Sequence, residues 1–255
     1  MAEIPLGGGN VSGGVVRIGD TVRRPAGPWT AAVHALLGHL HAAGFDGAPR
    51  PLGLDQLGRE VLTFIPGTMA WPDNFHLLDP DGRLRRVARL IRDFHDAVTG
   101  FRPPPDARWQ ALIPAEGTSI IAHHDLAPWN LVISSRHWAF IDWDTAAPGS
   151  RLWDVAYALH GFVPLSANPA YQRGDPARRM RLFADAYGLD QAQRQQLVPM
   201  LARRAKAMHD FLAGHATTGI EPWTRLWQHG HGRAWRADTD YIANREDTWH
   251  HALLD

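Results

Sequence analysis

The sequence predicts an α+β protein, a small antiparallel sheet followed by a mainly helical region. Three observations carry that expectation. Short β-rich stretches with turn signals crowd the first 64 residues, helical periodicity dominates from about Asp81 onward, and Ile65-Pro66-Gly67 breaks one pattern from the other like a hinge. We therefore expect two lobes, 1–67 and 68–255, in a chain whose 255 residues suffice for a substantial core.

The elements follow in order. Gly14-Val15-Val16-Arg17-Ile18 and Thr21-Val22-Arg23-Arg24 flank Gly19-Asp20, a hairpin turn signal. A helix is predicted from about Trp29 to Ala43, because Val33, Leu36, Leu37 and Leu40 share one face and Gly44 suits its C-terminal cap. Two more strands, 49–54 and 59–64, flank the turn Asp55-Gln56-Leu57-Gly58. Beyond the hinge, Leu84, Val87, Ala88, Ile91 and His95 line one face of a helix that starts near Asp81. Arg102-Pro103-Pro104-Pro105 is a rigid connector. Ser119-Ile120-Ile121-Ala122, Leu131-Val132-Ile133 and Trp138-Ala139-Phe140-Ile141 are short strands. Helices are expected over 152–159 and near 176–187, 190–213 and 238–254.

Composition narrows the function classes. Lys+Arg and Asp+Glu are equal at 26 each, so no strong electrostatic claim on nucleic acid or an anionic membrane follows. Cysteine is absent, which excludes a disulfide framework, a thiolate nucleophile and a Cys-based zinc site. Met1-Ala2-Glu3-Ile4-Pro5 lacks the basic and apolar regions of a signal peptide, and no apolar run approaches the roughly 20 residues that span a bilayer. A cytoplasmic location is the expectation. The basic residues are nearly all arginine; the only lysine is Lys206.

The chemistry concentrates in His123-His124-Asp125-Leu126-Ala127-Pro128-Trp129-Asn130 and in Phe140-Ile141-Asp142-Trp143-Asp144, a hairpin's length later. These supply a carboxylate beside a histidine, an amide five residues on, and a second carboxylate at the end of an apolar strand. An inward carboxylate there is costly unless a metal or a donor awaits it. Phosphoryl transfer uses such a set: one Asp orients the acceptor hydroxyl, while an Asn and a second Asp hold Mg²⁺ on the nucleotide phosphates. Hard oxygen ligands suit Mg²⁺. Asp144 is either a second metal ligand or a solvated neighbour.

These two motifs resemble those of the aminoglycoside phosphotransferase family, a branch of the protein-kinase-like fold that also includes choline kinase-like enzymes. The nearest resemblance is to compact bacterial phosphotransferase and trifolitoxin-immunity-like members. Phe64-Ile65-Pro66-Gly67 looks like the family's lobe hinge, Phe94-His95 like the end of its first large-lobe helix, and Leu152-Trp153-Asp154-Val155-Ala156 like the segment whose Asp braces the catalytic loop. The resemblance implies that Asp125 accepts or orients the acceptor proton, that His123 supports the loop, and that Asn130 and Asp142 bind Mg²⁺. ATP, Mg²⁺ and a small-molecule hydroxyl acceptor, such as an aminoglycoside antibiotic, are the implied ligands. His124 replaces the small residue usual there and either points outward or narrows the site.

Leu6-Gly7-Gly8-Gly9-Asn10-Val11-Ser12-Gly13-Gly14 resembles a phosphate-covering loop, without the kinase G-x-G-x-x-G spacing, since glycine lets backbone N–H groups approach phosphate oxygens, although a flexible turn has the same composition. The departure from the family is the phosphate-holding lysine of the third strand. Arg23 sits at the matching place, with Arg24 the alternative if the strand register is off by one. The acidic helix partner of that lysine is not evident either; Val33 and His34 occupy the expected region. These two departures leave a nucleotide-binding pseudokinase or an immunity-type binding protein as the alternative. A polycationic acceptor would want an acidic pocket, for which Asp210, Glu221, Asp238, Asp240, Glu246 and Asp247 are the available carboxylates. Trp223, Trp227 and Trp235 are read as packing of the large lobe rather than as the floor of an acceptor pocket.

Overall fold

The N-terminal strands are short, and only pairing makes them a sheet. In the computed structural model, which describes residues 2–7 and 13–255, β1 (Ile4–Pro5), β2 (Val16–Ile18), β3 (Thr21–Arg24), β4 (Pro51–Leu54) and β5 (Glu60–Thr63) form one antiparallel sheet in the order β1-β2-β3-β5-β4. Asp55 builds the β4–β5 turn by accepting the Leu57 and Arg59 N–H groups at 2.9 and 3.0 Å. Helix α1 (Thr30–Ala42) crosses the sheet and buries Val33, Leu36, Leu37 and Leu40, the predicted face. Gly44 ends it with φ +81°, a conformation that suits a residue without Cβ.

After Gly67 the chain enters β6 (Thr68–Met69), which was not predicted, and then α2 (Asp81–Ala97). Leu84, Val87, Ala88, Ile91 and His95 are all fully buried along α2, as the periodicity requires. Strand β6 joins the hairpin of β8 (Leu131–Ile133) and β9 (Trp138–Phe140) in a three-stranded antiparallel sheet. Strand β7 (Ile120–Ala122) pairs instead with β10 (Ala147–Gly149).

Helices α3 (Arg151–Phe162), α4 (Pro176–Tyr187) and α5 (Gln191–Gly214) lie where helices were expected. Asp190 and Gln193 close a capping box at the start of α5. The predicted helix near 238–254 is instead two, α7 (His231–Ala243) and α8 (Glu246–Leu254), and a short α6 (Trp223–Gln228) precedes them. The break at Asn244-Arg245 lets Trp249 fold back and donate to the Ile242 carbonyl at 2.9 Å. No helix among the described residues is long and apolar enough to cross a membrane. One buried cluster runs from Leu36, Leu37 and Leu62 of the N-terminal layer through Phe140 to α3, α4 and α5.

Candidate active site

The hairpin β8–β9 brings the two sequence motifs to one edge. Leu131 pairs with Phe140, and the ladder continues one step further, where the Ile141 N–H donates to the Asn130 carbonyl at 2.9 Å. Asn130 and Asp142 therefore leave the same end of the same hairpin. Asp125 joins them through side chains: Asn130 Nδ2 donates to Asp125 Oδ2 at 2.7 Å and to its carbonyl at 3.0 Å. Committing Nδ2 in this way leaves the amide oxygen as the group Asn130 can offer a cation. Trp129 Nε1 reaches the same Asp125 oxygen at 3.3 Å. Burial raises the Asp125 carboxyl above its usual range; His123 opposes the rise and Asp142 adds to it.

The loop that presents Asp125 is held from below. His123 is fully buried, its Nδ1 3.3 Å from the Asp125 N–H and its Nε2 3.2 Å from the Ile141 carbonyl. Asp154, fully buried on α3, accepts the His123 and His124 N–H groups at 2.8 Å each. His95 from α2 meets the same carboxylate at 3.3 Å, and its other nitrogen meets the Tyr187 hydroxyl at 2.7 Å. Burial alone would raise the Asp154 pKa, but the bond and charge of His95 bring it down to about 2. His124 takes the left-handed conformation at φ +67°, which a residue with a Cβ holds only when its surroundings over-determine it. They do so at both ends of the residue. Its N–H goes to Asp154, and its carbonyl accepts from Arg204 Nη2 of α5 at 3.1 Å. Its ring points neither outward nor into the site; Nε2 bonds the Ala147 carbonyl at 3.2 Å, and the ring lies over Gly149, where a Cβ would come within 2.9 Å of it.

Arg204 was not foreseen. It is 3 % exposed, stacks over Tyr157 at 4.2 Å and Trp153 at 5.2 Å, and leaves Nε and Nη1 without a bonding partner. Tyr157 of α3 in turn interacts with the Asp125 carboxylate; burial together with that charge raises the Tyr157 pKa. Nothing in the sequence around Arg204 separates it from its neighbour Arg203, which pairs with Glu116 at 2.7 Å on the surface.

From the sheet above, one arginine reaches the site, and it is Arg24. Arg23 and Arg24 are consecutive on β3 and so face opposite ways. Arg23 turns back to Thr21 Oγ1 at 2.5 Å and lies 3.6 Å from Asp55, away from the predicted carboxylates. Arg24 is 7 % exposed and bridges three carboxylates: Glu60 at 2.9 Å, Asp142 at 3.1 Å and Asp144. The structure thus takes the alternative register for the strand cation. Burial opposes the charge on Arg24, but Asp144, Asp142 and Glu60 together raise its pKa, so it stays a cation. Burial pushes Asp144 up to about 6, against Arg24 and with Asp142 beside it. Glu60, 2 % exposed, also meets His34 of α1 at 2.9 Å. The acid that accompanies the strand cation stands on β5, and the helix contributes a histidine to it. The resemblance implies that acid on the helix, where the chain has Val33 and His34.

Gly7 lies just past β1, in the connection that ends where the Leu6 N–H meets the Val15 carbonyl at 3.0 Å; Gly8 and Gly9 lie outside the described residues. The donor set fits the metal that phosphotransfer needs. Asp142 and Asn130 offer hard oxygens, and Mg²⁺ usually takes one or two carboxylates plus phosphate oxygens and water. Asp142 is itself in the left-handed region, at φ +60°, and is one-third exposed, turned out of the strand rather than buried in it.

Comparison with known proteins agrees with this layout. The model of the APH phosphotransferase enzyme family matches residues 106–183, the stretch that contains both motifs and α3. A trifolitoxin immunity protein from Rhizobium leguminosarum bv. trifolii is 31% identical over 242 residues, 87% of this chain and 90% of that protein. A choline/ethanolamine kinase family protein from Mesorhizobium loti superposes with a TM-score of 0.63 at 15% identity, covering 98% of this chain and 93% of that one. The GDP complex of an aminoglycoside 2'-phosphotransferase superposes with a TM-score of 0.59 at 14% identity, covering 96% and 93%. An amicoumacin kinase in complex with AMP-PNP, Ca²⁺ and Ami superposes with a TM-score of 0.63 at 12% identity, covering 89% and 88%. The solved structures show a protein-kinase-like fold, and with the sequence relative they place the chain: it belongs to the APH phosphotransferase enzyme family.

Proposed function

We propose that the chain is an ATP- and Mg²⁺-dependent O-phosphotransferase that acts on a hydroxyl of a small molecule in the cytoplasm. The observation that carries the reading is the junction of Asp125, Asn130 and Asp142 at one hairpin end, with the Arg24 guanidinium reaching it from the sheet. When bound, the Mg²⁺-nucleotide supplies the phosphoryl group. Asp142 and the Asn130 amide oxygen hold the metal. Arg24, freed from part of its carboxylate cluster, offers its planar fork to phosphate oxygens. Gly7, Gly8 and Gly9 cover the phosphates with backbone N–H groups. Asp125 receives the acceptor hydroxyl proton on a carboxylate whose raised pKa makes it a better base. His123 keeps that carboxylate in place through the Asp125 N–H. The work is positioning and charge neutralisation, with lobe 1–67 bringing the strand cation and lobe 68–255 the base and the metal-holding residues.

A second reading is supported by the immunity protein at 31% identity: protection by binding alone, with no turnover. One experiment separates them. ADP release is followed with Mg²⁺-ATP and a panel of hydroxyl-bearing antibiotics and alcohols, in the native protein and in Asp125→Asn. The phosphotransferase reading expects turnover that falls about 10²–10⁴-fold in the variant while nucleotide affinity is kept. Mg²⁺-dependent nucleotide binding without turnover of any panel member would move the conclusion to the binding protein.

A further inference from the structure

We infer that the turn end of hairpin β8–β9 carries a second ligand site, a basic cleft against α2 that takes a small phosphate-bearing anion. The cleft shares no residue with the candidate active site. A cavity of about 590 Å³ opens there, within the usual size range of small-molecule sites. Leu77 and the cross-strand pair Ile133 and Trp138 give it an apolar lining; paired residues share one face of a hairpin. Arg86 lies over the Trp138 ring at 4.6 Å, so that face is the one turned to α2. Asn130 and Asp142 leave the opposite end of the hairpin, beyond the three residues of β8, or about 10 Å away.

Arg83 and Arg86 supply its charge. They stand three apart on α2, so their side chains are neighbours on one helix face. Each is held by one backbone carbonyl: Arg83 Nη1 donates to Leu77 at 3.0 Å, and Arg86 Nη2 to Arg136 at 3.4 Å. Neither forms an ion pair among the described residues, so both guanidinium forks keep N–H groups to offer. Two like charges side by side on a helix repel unless an anion stands between them. Further along the same helix, Arg92 shows the compensated arrangement, paired with Asp96 at 2.7 Å.

No carboxylate lines the cleft among the described residues. The two acids at the start of α2 are engaged elsewhere. Asp79 lies 3.6 Å from Arg173, and Asp81 accepts from Arg178 Nη1 of α4 at 3.1 Å. Asp93, the next acid along the face of Arg83 and Arg86, is seven residues beyond Arg86, about 10 Å along the helix. The remaining polar side chains are hydroxyls. Ser134 braces the turn, its Oγ donating to the His137 carbonyl at 2.8 Å and accepting the His137 N–H at 2.9 Å. Thr68 and Ser135 line the cleft and are exposed, with hydroxyls able to donate. Guanidinium forks beside hydroxyl donors, with no competing carboxylate, suit the oxygens of a phosphate group, which an arginine holds bidentately. The apolar lining leaves a place for a small organic body. Lys+Arg and Asp+Glu balance at 26 each over the whole chain, so the positive character is local to this cleft and gives no surface for a polyanion.

The test is calorimetry on the full chain with glycerol 3-phosphate, inorganic phosphate, succinate and glycerol, each titrated with and without saturating Mg²⁺-AMP-PNP. Glycerol 3-phosphate is expected to bind at least about tenfold more tightly than succinate, equally well with nucleotide present, and glycerol is expected not to bind. Inorganic phosphate binding as tightly as glycerol 3-phosphate would support the site and assign it to the free ion; weaker binding would assign it to an organic phosphate. Arg86→Ala, at an exposed side chain that can be lost without unfolding, is expected to weaken glycerol 3-phosphate about tenfold or more, and Arg83→Ala likewise. Both variants should keep Mg²⁺-AMP-PNP affinity within about twofold of the native chain, as distant sites do. Arg24→Ala should leave the affinity for glycerol 3-phosphate unchanged; its loss there, or competition by Mg²⁺-AMP-PNP, would put the anion at the nucleotide site and overturn the inference. So would a preference for succinate, binding indifferent to both the Arg83 and Arg86 variants, or no saturable binding up to about 10 mM. A chain that fails to bind Mg²⁺-AMP-PNP but binds glycerol 3-phosphate through Arg86 would instead remove the phosphotransferase reading and leave the cleft standing.

Discussion

Below the candidate site, Asp154 is 0 % exposed and takes two loop N–H groups and a buried histidine; above it, Arg24 joins Glu60 and His34 of the N-terminal layer to Asp142 and Asp144. The lower contacts tie loop backbone to helices α2 and α3 inside the core. The upper ones tie side chain to side chain across a boundary between two layers. Backbone held by a buried carboxylate is preorganised and has nowhere to go. A cation shared among carboxylates can exchange one of them for a phosphate oxygen at modest cost, because charge-assisted bonds of similar strength replace those lost. Substitutions on the two sides should therefore fail differently: below the site by unfolding the loop, above it by losing ligand.

Asp154→Ala is the most damaging change expected. It orphans the His123 and His124 N–H groups and leaves His95 facing a void, and breaking a buried charged network of this kind costs about 3–5 kcal/mol. Denaturant unfolding would measure it, and a loss under about 1 kcal/mol would break the contrast between the two sides. The same carboxylate should give the fold an acid limit. Its folded pKa of about 2 lies below the ordinary 3.8, so the folded state binds its proton less readily than the unfolded chain. The resulting stability, about 2 kcal/mol, is present above pH 4 and is lost as pH falls from 4 to 2. His95 acts with the same sign at higher pH. Burial lowers its pKa below 6.5, so stability begins to fall as pH drops below that value. Unfolding free energy measured from pH 7 to pH 2 in the native protein and in Asp154→Asn should show the lower of these slopes disappear in the variant.

Arg24→Ala tests the upper side. Nucleotide affinity should fall about 10–100-fold, the worth of one or two charge-assisted bonds, with a loss of stability below that of Asp154→Ala because Glu60 retains His34 as a partner. Arg24→Lys should recover part of the affinity, since an ammonium restores the charge but not the planar fork. Isothermal titration with Mg²⁺-AMP-PNP distinguishes the three proteins. An alanine variant that binds nucleotide as tightly as the native chain would make Arg24 a structural clasp and no more.

The lower side was more legible than the upper for physical reasons. Asp125, Asn130 and Asp142 are read from sequence because a two-strand hairpin fixes where its ends lie, whatever surrounds it. Asp154 emerged from the motif around it, and the buried faces of α1 and α2 from helical periodicity. The choice between Arg23 and Arg24 depends on a one-residue register, and two adjacent arginines before a proline give no alternation to settle it. Glu60 and Arg204 owe their positions to tertiary contacts with no local signal; each is a charged residue on a strand or helix that looks solvent-facing in sequence and is buried in the fold. The ring contacts of Trp71 with Trp129 and Tyr171 join three segments that no periodicity links. Of the tryptophans considered from sequence, Trp235 stacks on Tyr157 and His160 behind the site, while Trp223 packs on Phe211 and Trp227 near His209.

Arg23→Ala is the small effect that gives the large one its meaning. Arg23 and Arg24 carry the same charge on the same strand one residue apart, so any long-range influence of a positive sheet on an anionic nucleotide is shared by both. Only direct contact separates them. Arg23 contacts Thr21 and approaches Asp55, which Arg59 and two backbone N–H groups already hold. Its removal should change nucleotide affinity by less than about twofold and stability by about 1 kcal/mol or less, as for other partly exposed pairs. If Arg23→Ala instead weakened nucleotide as much as Arg24→Ala, the strand would have to present its other face when ligand binds. A slip of one residue is the movement that does this, and it would also withdraw Arg24 from Glu60 and Asp142. The pair of variants therefore reports whether the observed register is also the working one.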